Sequence, residues 1–121
     1  MYLSIIIPTL NEQAYIQNTL DQIKLNATGN IDYEIIIIDA GSTDKTLSFI
    51  EHDEIRVITN EEFKGKKYCS LNHGAKIGNG NVLLFLDADC IVPPNFDLLI
   101  KDVLNEGNLS AGAFEYKSEN R

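Results

Sequence analysis

Five apolar residues, Val82 to Leu86, run without a break into Asp87-Ala88-Asp89. A strand that is apolar at every position has both faces covered, which favours a sheet enclosed by helices. Two carboxylates at the end of such a strand repel each other and are costly to desolvate. A strand mouth tolerates them, and a cation between them gives them a use. Hard cations such as Mg2+ and Mn2+ take carboxylate oxygens and complete their shell with water and phosphate. The segment therefore reads either as a metal–diphosphate site on an α/β sheet or as a solvated turn that holds two aspartates.

The same design recurs along the chain. Residues 33–38 form a second strand with four isoleucines in succession, closed by Asp39 and turned by Gly41. Shorter β-rich runs lie at 3–7, ended by Pro8, and at 55–59. Between them the spacing predicts helices. One covers 12–24, with Ile16, Leu20 and Ile23 in step and Asn11 as N-cap. A second covers 43–51 through Leu47 and Ile50, with Ser42 or Thr43 as its cap. A third covers 68–77, interrupted by Gly74, and a fourth covers 96–104 after Pro93-Pro94. Residues 60–67 read as a polar loop and 111–116 as a last strand. Strand–helix alternation implies a mainly parallel sheet in a three-layer α/β/α fold. The 121 residues correspond to one domain, 1–121.

In open parallel sheets, ligands bind at the carboxyl ends of the strands. By that rule the segments 8–12, 39–44 and 87–89 meet on one edge. Each has a plainer reading beside a functional one. Asn11 and Glu12 suit a helix start, while Thr9-Leu10-Asn11-Glu12 can also present backbone groups to a base. Asp39 is needed for no cap, and at a strand end it could accept a base N–H or a ribose hydroxyl. Lys64, Lys66 and Lys67 form a solvated loop or the cationic partner of a diphosphate. His73 reads as structural or exposed.

The formal net charge of −8 argues against a nucleic-acid partner, which requires a basic face. An acidic chain that binds diphosphate must gather positive charge locally, from a metal or those lysines. Cys69 and Cys90 fit no zinc spacing and no nucleophile pattern. The start, MYLSIIIP, is too short for a signal peptide, and no apolar run approaches the roughly 20 residues of a membrane span. A reduced, cytoplasmic protein is expected. G-x-G-x-x-G after a strand, G-x-x-x-x-G-K-[ST] and G-x-S-x-G are all missing from the sequence.

Taken in order, SIIIPTLNE, YEIIIIDAGSTDKT, a basic segment, and NGNVLLFLDAD followed by PP resemble the family 2 glycosyltransferases. These are inverting enzymes of the GT-A fold, and the likeness covers about the first hundred residues. The resemblance implies a site for a nucleotide-diphosphate sugar. Pro8, Thr9, Leu10, Glu12 and Asp39 would serve base and ribose. Lys67, or its neighbours Lys64 and Lys66, would serve the nucleotide. Asp87 and Ala88 would face the diphosphate-sugar, and Asp87 with Asp89 would hold Mg2+ or Mn2+. A cell-wall or polysaccharide pathway would be the setting. Three features depart from the family pattern. Ala40 stands where many relatives carry a second acid, the basic segment has lysine in place of arginine, and the sequence stops at Arg121, about half the family length. The general base is therefore expected outside this chain. A truncated, non-catalytic module that keeps the fold is the alternative reading, with a homodimer through its exposed sheet edge. A nucleotidyltransferase is disfavoured because the segment after strand one is not a Gly-rich basic loop.

Overall fold

The structure, a computed structural model, describes residues 1–50 and 54–105. Its elements are β1 (Tyr2–Thr9), α1 (Ile16–Asn26), β2 (Asp32–Asp39), β3 (Ile55–Thr59), α2 (Lys67–Ile77), β4 (Val82–Phe85) and α3 (Phe96–Asn105). Among the described residues the three strand pairings are parallel, in the order β3-β2-β1-β4. The register runs Tyr2↔Asp32 to Thr9↔Asp39 between β1 and β2, so these two strands end level.

The isoleucine runs follow from burial on both faces. Ile5, Ile7, Ile35 and Ile37 point to one side, where Ile16, Leu20 and Ile23 of α1 and Phe96 of α3 cover them. Ile6, Ile36 and Ile38 point to the other, against Leu71, Ala75 and Ile77 of α2. Period-2 alternation thus distributes one apolar run between two cores. Gly74 fits the second core by its lack of a side chain: a Cβ there would run into Ile6 Cγ2. The interruption expected to weaken the helix is what lets α2 approach β1.

Pro8 lies inside β1 and does not end it. Pairing to β4 stops at Ile6↔Phe85, and Leu86 N–H then donates to the Ile6 carbonyl. Strand alternation turns the Pro8 nitrogen to that same side, past the end of the pairing, where no ladder bond is lost. At the β4 margin, Leu83 and Phe85 remain 41% and 49% exposed.

Two helical expectations are corrected. The first helix starts at Ile16, with Tyr15 at its N-cap position and no side-chain cap bond. Asn11 is not the cap; it sits at φ 54° and turns its side chain toward the next loop. The expected helix over 43–51 is reduced to a single 3-10 turn, Leu47–Phe49. The amide groups of Thr43, Asp44, Lys45 and Thr46 donate to side chains, and those of Ser48 and Ile50 bond three residues back, to Lys45 and Leu47, in the tighter 3-10 pattern. Within the expected loop 60–67, Glu61–Phe63 makes a 3-10 turn capped by Asn60. The strand expected at 111–116 lies outside the described residues.

Candidate functional site

The carboxyl ends of β1, β2 and β4 open onto a cleft of about 520 Å³. Its lining includes Pro8, Thr9, Leu10 and Glu12 from the β1 end, Ala40 from the β2 end, and Asp87, Ala88 and Asp89 from the β4 end. Phe63, Gly65, Lys67 and Ser70 close it from the α2 side. Three segments far apart in sequence are therefore gathered by parallel strand order alone.

The first two loops are laced together. Asn11 Oδ1 accepts from Thr43 N–H at 2.8 Å, and Asn11 N–H donates to Ser42 Oγ at 2.9 Å. Glu12 N–H donates to Thr46 Oγ1 at 2.8 Å, and Lys45 N–H to Gln13 Oε1 at 2.9 Å. Gly41 permits the turn with φ 100°, where any side chain would be strained and would also meet Glu61.

Asp39 is the anchor of this lacing. It is fully buried and is not among the residues lining the cleft. Its Oδ1 accepts from Thr9 Oγ1 at 2.7 Å and from Ser42 Oγ at 2.6 Å. Its Oδ2 accepts from Gly41 N–H at 3.0 Å and Ser42 N–H at 2.8 Å. Asp39, needed for no helix cap, has a structural role of another kind: a carboxylate holding four donors organises the cleft wall from behind.

At the β4 end the chain turns at once. Cys90 N–H donates to the Asp87 carbonyl at 3.0 Å, and Thr19 Oγ1 of α1 donates to the Ala88 carbonyl. The turn brings one donor atom from each of Asp87, Asp89 and Cys90 within 4.8 Å of one another. Asp87 also pairs with Lys67 Nζ. Both side chains are about half exposed, so the pair is weak, about 0–1 kcal/mol, and a stronger cation can replace the ammonium. Lys67 is the first residue of α2, so the positive helix terminus stands behind it. Of the three lysines, Lys67 lines the cleft, whereas Lys64 and Lys66 do not. The His73 ring packs against Phe63 at 5.8 Å, in keeping with a structural role.

The donor set suits a divalent cation: two carboxylates supply hard oxygens and the open cleft leaves room for phosphate oxygens. Three lining residues were missed by sequence reasoning, Ala40, Phe63 and Ser70, and so was Cys90, which stands beside the two carboxylates without lining the cleft. Phe63 had a signal, an aromatic residue within a polar stretch. Ser70 had none.

The model of the family described as "Glycosyl transferase family 2" matches residues 4–120. The chain belongs to glycosyltransferase family 2. Among curated family members it is 39% identical over 90 residues to a PGL/p-HBAD biosynthesis glycosyltransferase of Mycobacterium tuberculosis, covering 71% of this chain and 34% of that protein. Among solved structures it is similar to S. aureus TarS 1-349 in complex with UDP-GlcNAc, at 26% identity and a TM-score of 0.63, covering 86% of this chain and 30% of the other. It is also similar to glucosyl-3-phosphoglycerate synthase of Mycobacterium tuberculosis in complex with Mn2+, UDP and glucosyl-3-phosphoglycerate. There the identity is 26% and the TM-score 0.65, over 88% of this chain and 40% of the other. The fold is that of these GT-A glycosyltransferases. The chain spans about a third of the length of the curated glycosyltransferases it matches. Among the described residues, no helix is long and apolar enough to cross a membrane.

Proposed function

We propose that this chain forms the donor-binding part of a family 2 glycosyltransferase, holding a nucleotide-diphosphate sugar for transfer to an acceptor. The observation that carries the reading is the meeting of the β1 loop, the Asp87-Ala88-Asp89 turn and Lys67 around one cleft. The UDP and UDP-GlcNAc complexes of its structural neighbours support the ligand class. Residues 1–121 would then be one unit of a larger catalytic domain.

In this reading Pro8, Thr9, Leu10 and Glu12 form the wall for base and ribose. Asp39 keeps that wall in shape through Thr9, Gly41 and Ser42. Asp87 and Asp89 would hold the cation, Mg2+ or Mn2+, and bound there it would supply Lewis-acid stabilisation of the departing diphosphate. Ala88 between them leaves room for the sugar. Lys67 exchanges its Asp87 partner for a phosphate oxygen and adds a point charge to the leaving group. Inversion needs an acceptor hydroxyl attacking the anomeric carbon from the far side, with a base taking its proton. No residue in the cleft is assigned that base.

Calorimetric titration with UDP-, GDP- and dTDP-sugars, with and without Mn2+, tests the reading. One donor is expected to bind with Mn2+ and to be lost in the Asp87→Asn/Asp89→Asn variant. A folded protein that binds none of them, or a double variant with undiminished Mn2+-dependent binding, rejects it.

A further inference from the structure

Cys90, directly after the Asp87-Ala88-Asp89 turn, has no role assigned by the motif or by the family match. Its thiol joins the two carboxylates in a group whose donor atoms lie within 4.8 Å of one another. Donors at 2.0–2.6 Å from a common ion are separated by at most about 5 Å, so one cation can touch all three. The arrangement is braced on both sides. The Cys90 N–H to Asp87 carbonyl bond closes the turn, and Thr19 pins its centre to α1. Cys90 itself rests half-buried against the core on the α1 side, which limits where its sulfur can go.

We propose that Cys90 is a third protein ligand of the cation, and that it sets the cation preference of the site. This inference rests on the donor-site reading above and deepens it. A site of oxygens alone suits Mg2+, which demands near-ideal octahedral oxygen geometry. Replacing one oxygen by a sulfur penalises Mg2+ and favours cations that accept softer ligands, in the direction of Co2+ and Zn2+, with Mn2+ between. Cys69, on α2 and outside the donor group, supplies an internal control.

The test uses the intact protein and four chloride salts, Mg2+, Mn2+, Co2+ and Zn2+, each titrated in the presence of UDP. Cys90→Ser should weaken Zn2+ and Co2+ by roughly 10- to 100-fold, the loss that even a partner one bond beyond the metal produces. Mg2+ affinity should stay the same or rise. The Co2+-loaded protein should show a thiolate-to-cobalt charge-transfer absorption that Cys90→Ser abolishes and Cys69→Ser retains. Bound Zn2+ should slow alkylation of Cys90 and leave that of Cys69 unchanged. If Cys90→Ser keeps the wild-type order of affinities and the cobalt spectrum lacks the thiolate band, Cys90 is not a ligand. In that case, loss of Mn2+ binding in Asp87→Asn/Asp89→Asn leaves the donor-site reading standing. If the wild type with UDP binds none of the four cations, both fall together.

Discussion

Substitution of Asp39 separates two kinds of hydrogen bond within one side chain. Its Oδ2 faces two backbone N–H groups, of Gly41 and Ser42, whose directions are fixed by the turn. Its Oδ1 faces two hydroxyls, of Thr9 and Ser42, which can rotate and either donate or accept. Asp39→Asn can keep its carbonyl oxygen on the amide pair and offer its NH2 to the hydroxyls. It loses charge assistance and little else, an expected cost of about 1–2 kcal/mol. Asp39→Ala strands both fixed N–H groups and the buried Thr9 hydroxyl. At about 1 kcal/mol or slightly more for each deprived group, the expected loss is about 3–4 kcal/mol. That is a large share of a total stability of about 5–15 kcal/mol. Urea unfolding of the three proteins at neutral pH, compared by midpoint at constant m-value, measures both costs. Equal losses for Asn and Ala, or an Ala cost below about 1 kcal/mol, would refute the argument that the fixed amides dominate.

Two further outcomes follow from other contacts. A Cβ at Gly80 would lie 2.6 Å from Ser4 N and 2.7 Å from the Tyr2 carbonyl oxygen, backbone atoms that cannot turn aside. Gly80→Ala should cost about 2–3 kcal/mol, and calorimetry should find the melting point lower by about 6–15 °C. Burial pushes the Glu34 carboxyl up, but hydrogen bonds from Ser4 and Asn79 N–H and the charge of Arg56 outweigh it and hold the group below 4.5. A lowered folded value means the contribution is complete above the ordinary value and disappears as pH falls through the folded one. Glu34→Gln should therefore be less stable than wild type at neutral pH and converge with it on acidification. Unfolding midpoints taken from pH about 6 down to about 3 check the convergence.

The sheet was legible because burial on both faces leaves a local mark. Runs such as Ile35 to Ile38 admit few other readings, and the polar residues that stop them mark the strand mouths. The Asp87 and Asp89 turn and the Pro8 to Glu12 loop were placed at one sheet edge for that reason. The expected helix over 43–51 is shortened to one 3-10 turn, and much of what shapes that segment is not local. Its amides are bound by Asn11 and Gln13, some 30 residues earlier, and side-chain spacing carries no record of that. The four bonds of Asp39 were hidden for the same reason. A carboxylate at a strand end looks identical in sequence whether it faces a ligand or a ring of donors. Lys64, Lys66 and Lys67 were equivalent until the start of α2 selected the last of them. Spacing rules that consider cysteines with cysteines or histidines pass over Cys90, whose thiol lies near two carboxylates.

The placement of α3 restricts how this sheet can grow. The β1–α1–β2 unit crosses over the face that α1 covers, and α3 lays Phe96 into that same core. Crossovers between parallel strands of one sheet are right-handed in about 98% of cases. A right-handed step from β4 over that face leads inward, to the place β1 already holds. A parallel strand arriving directly through α3 on the outer side of β4 would need the opposite hand. The margin bearing Leu83 and Phe85 is therefore suited to a strand that runs antiparallel to β4, or that reaches it by a longer path. A strand added directly at the edge beside the Asp87-Ala88-Asp89 turn would therefore reverse the direction of the sheet.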